Sequence, residues 1–237
     1  MKKKNYILIL SIILLCTILI TGHNTVHIYS SYSTVNSNIN TPLHIIIDCG
    51  HGGEDGGAVS SDGIVEKDIN LAIGLKLESF FLQSGFNVTM TRREDVSLHS
   101  SDAQTLREKK VSDIHNRTEL CNSSENNILI SIHQNKFEES KYSGTQVFYS
   151  VNNPKSLELA ESIRASVIGL LQNNNTRQCK ESTSSIYLLH NATIPAVIVE
   201  CGFLSNPQET QLLKSGKYQC EMAYAIFCGF LEFYYNY

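Results

Sequence analysis

The architecture of this chain turns on one stretch, Ile45-Ile46-Ile47-Asp48-Cys49-Gly50-His51-Gly52-Gly53-Glu54-Asp55-Gly56-Gly57. An apolar, β-branched run ending at Asp48 reads as a buried strand, and the glycine-rich turn behind it holds one histidine. Glycine accepts positive φ, so such a turn can bring His51 to the sheet edge without bulky neighbours. The carboxyl end of a strand is where an open α/β sheet places its chemistry. A solvent-facing histidine in a plain connection fits the same letters. The turn lacks the Lys-Ser/Thr of a P-loop, and Asp55 stands where a dinucleotide fingerprint wants its third glycine.

Working outward, the first strand covers about residues 43–48. Ile69, Ile73, Leu77, Phe80 and Phe81 recur at helical spacing, so residues 67–83 form an amphipathic helix that Gly85 ends. Residues 86–91 make a second strand, which completes a β-α-β unit. A long polar excursion runs from Thr91 to Lys110, and Ser112 caps a helix over 113–122 that carries Arg117. Residues 127–132 are a third strand delivering His133, and 144–150 alternate as a strand nearer an edge. A helix follows over 157–171, then a short strand over 186–189. A last strand over 195–199 delivers Glu200. Asn206-Pro207 with Glu209 close behind opens another helix, and the final one covers 218–233. The pattern is α/β with a central, mostly parallel sheet.

The 237 residues suffice for one catalytic-size domain, taken as 43–237. Lys2-Lys3-Lys4 and the apolar run 6–20 form an export signal, read as an uncleaved membrane anchor over 1–21 rather than a removed signal. A polar Ser/Asn-rich linker, 22–42, follows. The domain is thus expected outside the cytoplasm, held to the membrane by its N-terminal segment. Net charge is −4 with three lysines at the extreme N-terminus, so the remainder is more acidic still, and no basic stripe suits nucleic acid. Seven cysteines form no CxxC pair, which excludes a zinc ribbon or thioredoxin motif. Cys220 and Cys228 are expected to be buried in the last helix. Cys49 and Cys201, both after strands, are expected as free thiols, with a disulfide between them as the alternative.

Four groups stand at strand ends or at the first helix's start: His51, Glu66, His133 and Glu200. Two histidines and a carboxylate are one common catalytic zinc set, and the fourth group can serve as general base. Each has a plainer reading: a solvated turn histidine, a helix N-terminal acid for Glu66, a core histidine for His133. Glu200 is harder to dismiss, because a carboxylate closing a buried strand needs a partner. No HExxH occurs, so a helix-borne zincin site is absent.

The segments IIIDCGHGGEDGGA, VEKDINLAIGLKL, MTRREDVSL, NRTELCN, ISIHQNKF, GTQVFY and IPAVIVECGFLSNPQE occur in the order and spacing of the zinc-dependent N-acetylmuramoyl-L-alanine amidases, the amidase 3 family. The chain resembles that family over nearly all of residues 43–235. The resemblance implies a twisted six-stranded sheet flanked by helices, zinc (Zn2+) on His51, Glu66 and His133, and Glu200 as the catalytic glutamate. It implies hydrolysis of the amide between the lactyl group of muramic acid and L-Ala in peptidoglycan. The lone N-terminal segment and the missing wall-binding repeats look most like the germination-specific subgroup of spore formers. There the amidase works with a deacetylase to make muramic-δ-lactam in spore cortex, and some relatives use a partner lipoprotein. That places the domain between forespore and mother cell. One departure is visible: Cys49 stands where the family has proline, which is expected to loosen the turn without removing a ligand.

Asp48 is a candidate to orient His51. Arg117, Asn135 and His190 are read first as structural, and the residues that recognise substrate are unknown from sequence. Two other functions use the same letters: a zinc peptidase cutting within the stem peptide, and a catalytically silent wall-binding protein. The silent protein would be expected to have lost one of the four groups, and all four are present.

Overall fold

The computed structural model describes residues 43–237. The expected anchor and linker, residues 1–42, lie outside the described residues. Among the described residues no helix is long and apolar enough to cross a membrane.

The elements run β1 (His44–Cys49), α1 (Glu66–Gln83), β2 (Asn87–Met90), α2 (Leu106–Cys121), β3 (Asn127–Asn135), β4 (Gln146–Tyr149), α3 (Lys155–Leu170), β5 (Lys180–Glu181), α4 (Tyr187–Asn191), β6 (Ala196–Phe203), α5 (Pro207–Leu213) and α6 (Gly216–Tyr235). They build a six-stranded sheet in the order β2-β1-β3-β6-β4-β5. β2, β1, β3 and β6 are parallel, β4 runs antiparallel to β6, and β5 is parallel to β4. The central strands are apolar on both faces, as helices on either side require. One face packs Ile45, Ile47, Ile130, Ile132, Val197 and Val199 against α1, α3 and α6. The other packs Ile46, Leu129, Ala196 and Ile198 against Leu188 and Leu189 of α4 and Cys121 of α2. Each fully buried Ile, Leu or Val among them contributes about 1.5–3 kcal/mol.

Three expectations are corrected. Residues 186–189 are not a strand: Leu188 and Leu189 lie in the short helix α4, and the place beside β6 in the sheet is taken by β4, with β5 outside it. A four-residue apolar run does not distinguish strand from buried helix. The helix bearing Arg117 starts seven residues before 113, where Thr105 and Glu108 form a reciprocal capping box; Ser112 lies inside it. Its charged outer face hid the periodicity. Cys220 is exposed and Cys228 half-buried, so the last helix does not bury them. The edge strand β5 had no sequence signal of its own, being two exposed charged residues.

Candidate metal centre at the carboxyl rim of the sheet

His51 leaves β1 in a left-handed conformation, φ 63°, followed by Gly52 at 143° and Gly53 at 57°. Such a φ costs a non-glycine residue about 1–3 kcal/mol and persists only when its surroundings impose it. Here they do. Arg117, 2 % exposed, donates to the carbonyls of Cys49 (2.9 Å) and His51 (2.9 Å). Arg92 donates to the carbonyls of Cys49 (2.9 Å), Gly50 (3.2 Å) and Lys67 (2.7 Å). Two buried guanidinium groups thus clamp the turn from α2 and from the end of β2.

The four candidate groups come together. Glu66 is the first residue of α1, and His133 and Glu200 face each other as register partners on β3 and β6. Glu66 Oε1 lies 3.3 Å from His51 Nε2 and 3.0 Å from His133 Nδ1. One ligand atom from each of these three residues fits within 4.8 Å of the others. A tetrahedral ion with bonds of about 2.0–2.1 Å holds its ligand atoms ~3.3 Å apart, so the spacing and the two-imidazole, one-carboxylate set fit a borderline transition metal. Glycines make the space. A Cβ on Gly50 would meet His133 Nε2 at 2.1 Å, and one on Gly57 would meet Glu66 Oε2 at 2.5 Å.

The electrostatics are those of an anionic socket. Glu66 is buried, which raises its pKa, but hydrogen bonds from both imidazoles hold it well below the carboxylate range. Its Oε1 also accepts from Gln134 N–H (3.0 Å) and Asn70 Nδ2 (3.3 Å), and its Oε2 accepts from Ala58 N–H (2.7 Å). Burial lowers the pKa of His51, yet bonds to Asp55 and Glu66 carry it to about 9. The cluster therefore attracts positive charge. Glu200 differs: burial pushes it up to about 7, Glu66 adds to the rise, and the His133 and His51 imidazoles partly offset it. Its Oε2 is sealed from solvent without a hydrogen-bond partner. An orphaned buried carboxylate oxygen beside a two-His, one-Glu cluster is where such a site would carry its acid–base group.

Several roles fall elsewhere than expected. Asp48 does not orient His51; it is bound by Arg117 and by Ser131 Oγ (2.5 Å), and anchors the arginine clamp. Asp55 orients His51 instead, through Nδ1 at 2.8 Å, and Lys110 of α2 braces Asp55 at 2.8 Å. Its position four residues after His51 in a turn was the available signal. Asn70 was missed as well; it sits one helical turn after Glu66 and ties it to the Gly50 carbonyl (3.1 Å). Cys49 does not loosen the turn. Its N–H donates to Thr91 Oγ1 (3.1 Å), a bond proline lacks, and its thiol lies against Gly74, where a Cβ would come within 2.2 Å of Sγ. Cys49 and Cys201 are free, as expected. Asn135 closes β3 with its carbonyl accepting from Leu204 N–H (2.7 Å), and His190 is exposed on α4, so both keep their structural reading.

Known proteins resemble this chain in sequence and fold. The N-acetylmuramoyl-L-alanine amidase family model matches residues 45–231. The germination-specific N-acetylmuramoyl-L-alanine amidase of Bacillus subtilis (strain 168) is 37% identical over 190 residues, covering 80% of this chain and 79% of that protein. The CwlD amidase of Clostridioides difficile, solved in complex with the GerS lipoprotein, superposes with a TM-score of 0.78 at 42% identity, covering 81% of this chain and 98% of that one. An N-acetylmuramoyl-L-alanine amidase from Clostridium difficile 630 superposes with a TM-score of 0.70 at 27% identity, covering 81% and 97%. With its mostly parallel six-stranded sheet, its rim cluster and these matches, the chain belongs to the N-acetylmuramoyl-L-alanine amidase family.

Proposed function

We propose that this amidase is zinc-dependent, with His51, Glu66 and His133 as the protein ligands and Glu200 as the catalytic acid–base. The observation that carries the reading is the unpartnered Glu200 Oε2, directly across β3/β6 from His133. When bound, zinc would supply a Lewis acid that lowers the pKa of water towards ~7 and polarises the scissile carbonyl. The protein's part is to position and to move a proton. Asp55 fixes the His51 Nδ1 proton, which leaves Nε2 free to ligate. Glu66 stays anionic. Glu200 Oε2 takes a proton from the attacking water and returns it to the departing amine nitrogen of L-Ala, a task suited to a pKa near 7. The bond cleaved is the amide between the muramic lactyl group and L-Ala of the stem peptide.

The finer biology follows from relatives. Similarity to the germination-specific amidase supports a role in spore cortex, before a deacetylase completes muramic-δ-lactam. Similarity to a structure solved with a lipoprotein supports a partner lipoprotein here. In this reading residues 1–21 anchor the chain, 22–42 link it, and 43–237 act outside the cytoplasm, between forespore and mother cell. The test is metal analysis with muropeptide mass spectrometry on wild type and Glu200→Gln. Loss of whole peptides from muramic acid supports the amidase, and trimmed peptides would favour the peptidase instead. A variant that keeps zinc and cleaves as well as wild type would overturn the role of Glu200.

A further inference from the structure

Below the rim, on the edge strand, stands a second charged feature separate from the metal centre. In register across the sheet, Glu200 of β6 pairs with Gln146 of β4, and Ile198 pairs with Phe148, which pairs in turn with Lys180 of the edge strand β5. Laterally paired residues share a face, and successive residues alternate. Side-chain contacts fix which face is which. Phe148 packs with Ile198 on the α2/α4 face, whereas Tyr149 packs with Cys179 in the opposite core and its hydroxyl donates to Glu181 Oε1 at 3.3 Å. Lys180 therefore stands on the face of Glu200. Between them Gln146 Nε2 donates to the Gln178 carbonyl at 2.5 Å, which makes a polar strip from Glu200 to the edge. Arg177 turns the other way: its guanidinium stacks 4.5 Å from the Phe203 ring, and its Nε donates to the Ser143 carbonyl.

Lys180 is exposed, and among the described residues its ammonium has no hydrogen bond, ion pair or ring contact. The other lysines near the rim are engaged: Lys67 with Asp95, Lys109 with Glu54, Lys110 with Asp55, and Lys136 with the Val59 carbonyl. Lys180 is level with Ile198, two residues (about 6.6 Å) from Glu200 along β6, and two strand spacings of about 4.8 Å to the side, which puts its backbone roughly 12 Å from Glu200. An extended peptide covers that distance in about three to four residues, and the lysine side chain reaches part of the way.

Resting on the amidase reading above, we propose that Lys180 is a specificity residue, binding a free carboxylate of the stem peptide two to three residues beyond the cleaved amide. Of the two halves of the substrate the glycan offers neutral sugar hydroxyls and acetamides, and the peptide offers the anions a lone ammonium selects. Lys180 acts at a distance from the reacting atoms and sets which peptides are accepted.

The experiment uses the full chain carrying Glu200→Gln, so that binding is read without turnover. The probes are a disaccharide–peptide with free stem carboxylates and the same molecule with those carboxylates amidated. The free acid is expected to bind about five-fold tighter, the scale of an exposed ion pair, with the difference fading in high salt. Adding Lys180→Gln should erase the preference, and Lys180→Arg should keep it, with melting temperature unchanged for both. Equal binding of the two probes, or a preference that survives Lys180→Gln, overturns the proposal. Cleavage by the Glu200-intact chain is scored separately. A chain that binds selectively but does not cleave would refute the amidase reading and leave Lys180 standing; a chain that cleaves both probes alike would do the reverse.

Discussion

The rim holds two glutamates in opposite ways. At the corner where α1 begins, Glu66 accepts from two backbone N–H groups, one amide and both imidazoles, and stays ionised. Across the rim on β6, Glu200 has a buried oxygen with no donor and sits near 7. Glu66 is buried and Glu200 only half-buried, yet it is Glu200 that is pushed up, so burial alone does not separate them; the supply of donors does. A carboxylate surrounded by donors suits holding a cation in a fixed place. One stripped of donors suits carrying a proton at neutral pH.

The largest effects should come from breaking that contrast directly. Glu66→Ala removes both a proposed ligand and the hub of the corner, so bound zinc and all measurable cleavage should disappear together. Glu200→Gln should keep zinc at wild-type stoichiometry and lower kcat by about 10²–10⁴-fold. Metal analysis beside muropeptide release separates the two; equal zinc loss in both variants would mean the corners are one unit.

Next comes the clamp beneath the turn. Asp48 is fully buried, which alone would raise its pKa, but Arg117 and the Ser131 hydroxyl bring it down to about 2 from an ordinary 3.8. A depressed folded pKa contributes stability that is complete above about pH 4 and lost as pH falls through about 2. The wild-type chain should therefore lose roughly 2 kcal/mol over that window from this group. Asp48→Asn should cost about 3 kcal/mol at pH 7, because a buried guanidinium loses a partner, and should flatten that part of the acid limb in denaturant titrations.

A smaller effect tests the orientation of His51. Asp55→Asn, read by chelator competition, should weaken zinc about 10–100-fold while the melting temperature of the zinc-free chain barely moves. An unchanged affinity would return the orienting role to the arginine clamp. Smallest of all, Cys49→Ala empties the space the thiol fills against Gly74 and should cost about 1 kcal/mol in denaturation, with zinc content intact.

Much of this was legible beforehand, for identifiable reasons. The runs at 45–48, 127–132 and 196–199 are rich in β-branched apolar residues and each leads to a polar group or a glycine turn, which reads as a strand of a covered parallel sheet. His51, Glu66, His133 and Glu200 each follow or open such an element, so the strand ends already placed them near one rim. What failed were short or charged segments. Residues 186–189 carry too few residues to show a period, and the charged face of α2 masked its first two turns despite the Thr105–Glu108 cap.

The sequence by itself determined the four parallel strands, their rim and the four groups that stand there, because strand periodicity and glycine turns are local properties written in neighbouring residues. Only the tertiary structure decided how each group is set. That Arg92 and Arg117 hold the turn, that Glu66 gathers donors while Glu200 has none, and that Lys180 shares the face of Glu200 all depend on contacts between residues far apart in the chain. Hydrogen bonds and desolvation act over a few ångströms in space, and distance along the sequence carries no record of them.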